Sequence, residues 1–267
     1  MEASSLVVQE LWDAIIDYLH DSPKDLLSSA LVCRAFVHRA QIHLFHSIVI
    51  ASDRDPGAVP AIQLSSILAH SPHLIRYICD LTIGQCDTET LAPIVEVAWS
   101  HISAIALVHL DDSLAPALDL IGILVSLPSL RKITFQSNAW EAAHLHAVLA
   151  NCNPSVHSLA FHSCSPEMTD TLPDVNSRLI LSTRPTVTHL DLFFADTDPD
   201  FLLTAACPVD LSQLTHVKFG WCSGTGLSSF LVVFAQTIQS IDVDASGQSP
   251  PFSDNISKLN ERTCRRS

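Results

Sequence analysis

Seven short stretches of this chain share one pattern: "ICDLTI", "ISAIAL", "LRKITF", "VHSLAF", "VTHLDL", "LTHVKF" and "IQSIDV". Each reads apolar, two variable, apolar, one variable, apolar. The central apolar residues are Leu81, Ile105, Ile133, Leu159, Leu190, Val217 and Ile241, spaced 24, 28, 26, 31, 27 and 24 residues apart. Alternation over so short a run predicts a strand with one buried side. Its return at this interval predicts one strand per structural unit. Between the strands lie segments with helical spacing, among them "AIQLSSILAHS", "TLAPIVEVAWSH", "SLAPALDLIGILVS" and "EAAHLHAVLANC". Several strands are announced by a proline-containing turn, as in "HSPHL", "LPSL", "NPSV" and "RPTV". A unit of helix, turn and strand cannot bury its own apolar face, so the units must stack into one continuous core. The stretch 166–183 is the least regular, and a loop with a short helix is expected there.

This period resembles that of leucine-rich repeats. Their pattern continues with Asn or Cys five positions after the central residue, where the side chain can bond backbone groups of the next turn. Cys86, Asn138, Cys164 and Cys222 hold that place in four of the seven units, while Leu110, Ala195 and Ser246 interrupt it in others. The expected fold is α/β: a solenoid of about seven repeats over 61–250, with a parallel sheet on its concave side. Residues flanking each central position then face away from the core. That register brings His162, His189, Asp191, Phe193, His216 and Lys218 together as a mixed patch with an exposed aromatic, suited to holding a protein substrate. It also sets Leu159 in the core and Ala160 on the concave face, so Leu159→Ala should be costly and Ala160→Ser nearly neutral.

The segment "GWCSG", Gly220–Gly224, lies between a strand pattern and an apolar helical run, the context of a nucleophile elbow. Cys222 has the same address in its unit as Cys86 and Cys164, so the exit turn of a repeat explains it. No catalytic residue is assigned. The eight cysteines contain no CxxC pair and read as reduced thiols. Of fourteen histidines, His43/His46, His70/His73 and His144/His146 are close in sequence, yet none joins a second pair at finger-like spacing. No metal and no cofactor is expected.

Ahead of the repeats runs "VVQELWDAIIDYLHDSPKDLLSSALVCRAFVHRAQIHLFHSIVI". Leu11, Ile15, Ile16 and Leu19 fall on one broad apolar helix face. Ser22, Pro23 and Asp25 open a second helix with Ser22 as N-cap, whose apolar side holds Leu26, Leu27, Ala30 and Leu31. A third helix follows through Cys33, Phe36 and Val37. Three short helices enclose little interior, so some of these apolar residues are expected to face a partner.

"VVQEL", "IIDYLHDSPKDLL" and "ALVCRAF" resemble the F-box over residues 6 to about 46, with Val8 where that family usually has proline and Phe36 where it often has tryptophan. The resemblance implies a three-helix F-box over 1–50; a linker over 51–60 and the repeats follow, and 251–267, which lacks their periodicity, is expected to be an irregular tail. The resemblance also implies a non-catalytic substrate receptor that docks on a Skp-type adaptor, and through it a cullin scaffold, within a ubiquitin ligase. The substrate protein is not readable. Residues carried over as adaptor-facing are Val8, Leu11, Ile15, Ile16, Leu26, Leu27, Leu31, Val32 and Phe36, about half of which the three-helix core itself must claim. The alternative is a leucine-rich-repeat scaffold with a degenerate F-box that joins no ligase, and Val8 is the feature that favours it.

Charge fits these classes. Twenty-eight acids against fourteen bases give −14, which repels a phosphate backbone, so nucleic acid is not an expected partner. The start "MEASSLVVQE" has no basic-then-apolar signal pattern. No window reaches the ~20 apolar residues of a membrane span. The expectation is a chain of the cytoplasm, the nucleus or both.

Overall fold

The computed structural model describes residues 3–50, 60–84, 88–109, 116–136, 142–164, 184–193, 200–204, 207–220 and 230–244. Helices α1 (Ala3–Tyr18), α2 (Pro23–Val32) and α3 (Arg34–Leu44) come first and lead into strand β1 (Ser47–Ile50). Then follow α4 (Ala61–His70), a 3-10 turn (Pro72–Tyr77), β2 (Asp80–Ile83), α5 (Thr88–Val95), β3 (Ala104–Val108), α6 (Leu118–Val125), β4 (Lys132–Gln136), α7 (Ala142–Ala150) and β5 (Ser158–His162). The rest comprises β6 (His189–Phe193), α8 (Asp200–Leu203), β7 (His216–Gly220) and β8 (Ser240–Asp244).

All eight strands form one parallel sheet in plain chain order, with no strand skipped. Parallel neighbours require a crossover, and α4, α5, α6, α7 and α8 lie in those between β1 and β2, β2 and β3, β3 and β4, β4 and β5, and β6 and β7. Register is constant: Leu81, Ile105, Ile133, Leu159, Leu190, Val217 and Ile241 are successive partners across the sheet. The residues just before the strands continue the ladder. The carbonyls of His46, Cys79, Ser103, Arg131, His157, Thr188 and Thr215 accept in turn from the N–H of Cys79, Ser103, Arg131, His157, Thr188, Thr215 and Gln239, at 2.7–3.0 Å.

Alternation in the sequence becomes alternation in burial. The three apolar positions of each unit from "ICDLTI" to "LTHVKF" are all buried in one continuous core with Leu64, Leu68, Leu91, Ile94, Ile121, Leu124, Val148 and Leu149 of α4–α7. In β8, at the sheet edge, Val243 is exposed and Ile241 only half-buried. Inside the core the Phe135 and Phe161 rings stack at 5.1 Å, and Phe201 meets Phe161 edge-on at 5.4 Å.

β1 was not among the expected strands. "FHSIVI", 45–50, obeys the same pattern, and Ile48 and Ile50 pair with Leu81 and Ile83. The sheet therefore begins inside the stretch assigned to the N-terminal module. Nor are the two parts separate. Ile42 and Phe45 pack on the large core, and His38 Nδ1 lies 2.7 Å from the Tyr77 hydroxyl.

Of the Asn/Cys positions, Cys164 is described and is buried, with its Sγ–H donating to the Phe135 carbonyl on the preceding strand at 3.3 Å. Cys86, Asn138 and Cys222 lie outside the described residues, as do Leu110, Ala195, Ser246, the stretch 166–183 and the tail 251–267.

Leu159 is fully buried, and Leu159→Ala is expected to cost roughly 2–5 kcal/mol in urea unfolding. Ala160 shows no exposed surface either, although it faces the other side of the sheet. Its neighbours close over so small a side chain, and a serine hydroxyl there would be buried. The nearly neutral effect expected of Ala160→Ser therefore gives way to a measurable loss unless the hydroxyl finds a partner.

Candidate functional site

Two surfaces gather the residues that sequence reasoning singled out. The first is on the N-terminal helices. Their own core is small: Ile16, Leu26 and Ala40 are buried, with Leu19, Ala30, Phe36 and Leu44 packed around them. α3 packs against both α1 and α2. On α1, Leu11 and Ile15 are one turn apart and exposed, at 61% and 51%. On α2, Leu27, Leu31 and Val32 are exposed at 56%, 88% and 72%. Trp12 and Tyr18, which sequence reasoning passed over, are exposed too, and Trp12 rests against Phe36 with ring centroids 5.2 Å apart.

Ile16 and Leu26 must be removed from the expected partner-facing set. They are the interior of the helical unit, and Phe36 is partly buried against them. Val8 lies in α1, but its side chain is outside the described residues. Ser22 does occupy the N-cap of α2, yet its hydroxyl donates to the Asp25 carboxylate at 2.6 Å instead of accepting from the backbone.

With so little apolar interior, an ionic clamp holds α1 on α3. Arg39 donates from Nε and Nη2 to the two carboxylate oxygens of Asp17, and His43 Nε2 lies 2.7 Å from Oδ1. The Arg39 hydrogen bonds hold the Asp17 carboxyl at about 2, well below its ordinary 3.8. A depressed carboxyl stabilises the folded state fully above the unfolded value and less as pH falls through the folded one. The clamp should therefore loosen between about pH 4 and pH 2. Asp17 is partly exposed, so screening keeps its contribution to roughly 1 kcal/mol or less. Asp17→Asn should remove that acid-sensitive step from a pH titration of helical circular dichroism.

The second surface is the sheet face opposite the large core. Row by row across the strands, the first residues of β4–β8 are Lys132, Ser158, His189, His216 and Ser240. Ala160, Asp191 and Lys218 are partners in the middle row, and His162, Phe193 and Gly220 in the last. All six expected residues thus share one face over three adjacent strands. His162 meets the Phe193 ring edge-on at 5.0 Å, and Lys218 Nζ stands 5.0 Å from the centre of that ring, a cation–π distance. The Phe193 ring occupies the space beside its cross-strand neighbour Gly220, where a Cβ would come within 2.5 Å of it.

His189 and His216 stack face to face, 4.4 Å apart and within 4° of parallel. Each follows a threonine, and each Nδ1 lies 2.8 Å from the hydroxyl of that threonine. Thr188 and Thr215 donate their hydroxyl protons to the carbonyls of His157 and Thr188, at 3.3 and 3.1 Å. Each hydroxyl thus ties its imidazole to the backbone just before the preceding strand, which fixes the two rings in register. Burial, and then the neighbouring His216 and His157, push the His189 pKa down; burial pushes His162 down as well.

Among the described residues no three His, Cys, Asp or Glu side chains converge as a metal site, and no helix is long and apolar enough to cross a membrane. His43 is turned to Asp17, and buried His146 to the Phe201 carbonyl at 3.3 Å. No protein-family model matches the chain, and no curated protein matches it either.

Proposed function

We propose that this chain is the substrate-recognition subunit of a cullin-RING, SCF-type ubiquitin ligase. In this reading α1–α3 are an F-box that docks on a Skp-type adaptor, and the helix–strand units are a leucine-rich-repeat solenoid that receives a protein substrate. The chain itself performs no chemistry and works in the cytoplasm, the nucleus or both. The observation that carries the proposal is the surplus of apolar side chains on the N-terminal helices. Leu11, Ile15, Leu27, Leu31 and Val32 stand exposed within the very motif that resembles an F-box. Exposed apolar pairs at one-turn spacing, Leu11 with Ile15 and Leu27 with Leu31, are what a docking surface leaves open in the free chain. Support for the solenoid comes from the unbroken strand order, the constant register and the Cys164 hydrogen bond.

The test is co-expression of the full chain with a Skp-type adaptor, followed by affinity capture and size-exclusion chromatography. Co-elution as a stoichiometric complex is the expected result. A folded chain that elutes alone would leave the repeat scaffold with a degenerate F-box as the surviving reading.

A further inference from the structure

The open sheet face carries a local charge opposite to that of the whole chain. The chain stands at −14. Yet, among the described residues, β4–β7 and the positions just before them present Lys132, His157, His162, His189, His216 and Lys218 against a single acid, Asp191. Lys132 and Lys218 both act electrostatically on His162, so these charges share one field. The run of donors is bounded on both sides, by Ala104 and Asp80 on β3 and β2 and by Asp242 on β8.

We propose that the row Lys132–Ser158–His189–His216 binds an Asp/Glu-rich segment of a partner protein, laid across β4–β7 with its carboxylates on the histidine stack and the two lysines. This names the substrate class of the receptor described above and rests on that reading. Three inter-strand steps of about 4.8 Å make the row roughly 14 Å long. One small anion cannot span that distance, whereas an extended acidic segment can. Duplex nucleic acid offers the same charge but would bring many phosphates against an acidic protein. Asp191, beside the stack, further disfavours a doubly charged phosphate.

The stack adds a pH response. A proton taken up by a stacked ring makes both of its nitrogens donors and the ring cationic. Two imidazolium rings 4.4 Å apart repel each other, and a carboxylate bridging them removes the repulsion. Among the described residues, the charged groups facing the stack are His157 before β5, Asp191 on β6, Lys218 on β7 and Asp242 on β8. Both Asp191 and a bound carboxylate favour the protonated stack, while His157 and Lys218 oppose it. Binding and proton uptake are then linked reciprocally, so affinity rises as pH falls through the imidazole range.

The experiment is fluorescence anisotropy of the full chain with three labelled peptides of equal length: Asp/Glu-rich, its Asn/Gln counterpart, and a phosphoserine version, each at about pH 7.5 and about pH 6. The acidic peptide should bind, tightening about five- to tenfold at the lower pH. His189→Gln with His216→Gln should flatten that pH response, and Lys132→Gln with Lys218→Gln should weaken binding at both values. Equal binding of the Asn/Gln peptide, a pH response that survives the histidine pair, or tighter binding of the phosphoserine peptide at both pH values would overturn the proposal. Adaptor capture, run on the same proteins, separates the two readings. Peptide binding without adaptor capture sinks the ligase reading alone, and adaptor capture without peptide binding sinks the acidic-segment assignment alone.

Discussion

Phe161→Ala is expected to lower the unfolding free energy by about 3–5 kcal/mol, the range for removing a large aromatic from a core. Phe161 is 1% exposed on β5, in the interior of an eight-stranded sheet. It stacks on Phe135 of the preceding strand and meets Phe201 edge-on, so alanine removes two aromatic contacts besides the apolar burial. Paired strands on both sides limit collapse around the gap. Urea unfolding followed by circular dichroism measures it. Phe193→Ala is the control: Phe193 belongs to the neighbouring strand but the opposite face, is only half-buried, and should cost distinctly less. Equal costs at the two positions would reverse the assignment of faces.

Such a contrast is legible in the sequence because a strand's period of two leaves no freedom: once Leu159 is inside, Phe161 is inside and His162 is not. Seven of the eight strands and their shared register follow from that rule. β1 was missed although "FHSIVI" carries the pattern, since its residues were absorbed into the helical resemblance that precedes them. Ala160 illustrates a second gap. Periodicity gives the face of a residue, but its burial depends on how large its neighbours are.

Helices are less decisive than strands. On α1, Ile15 and Ile16 are adjacent and chemically alike, and the apolar stripe is wider than the side α3 covers. Only packing shows that Ile16 is inside and Ile15 outside. The Arg39–Asp17–His43 clamp spans 22 and 26 residues and leaves no local signal. The Thr-His dipeptides of "VTHLDL" and "LTHVKF" were in plain sight, but their meaning needs the zero-shift register that sets one imidazole over the next.

If α2 is a docking surface, Leu27→Asp combined with Leu31→Asp is expected to weaken adaptor capture roughly a hundredfold or more. Each carboxylate would be buried without a partner in an apolar interface, and breaking charge balance in that way costs about 3–5 kcal/mol. The free chain should hardly notice. Leu27 and Leu31 are more than half exposed, one turn apart on α2, so aspartate there meets water. Leu26→Asp marks the difference: Leu26 is 1% exposed and part of the small core with Ile16 and Ala40, so the charge would break the helical unit itself. That damage should spread toward β1, because Ile42 and Phe45 of the same segment pack on the large core. Measuring melting temperature and adaptor affinity together therefore distinguishes a lost surface from a lost fold. The double variant should keep its melting temperature and lose capture, whereas Leu26→Asp should lose both. A folded double variant that still holds the adaptor as tightly as the parent would remove α2 from the interface and leave its leucines for another partner.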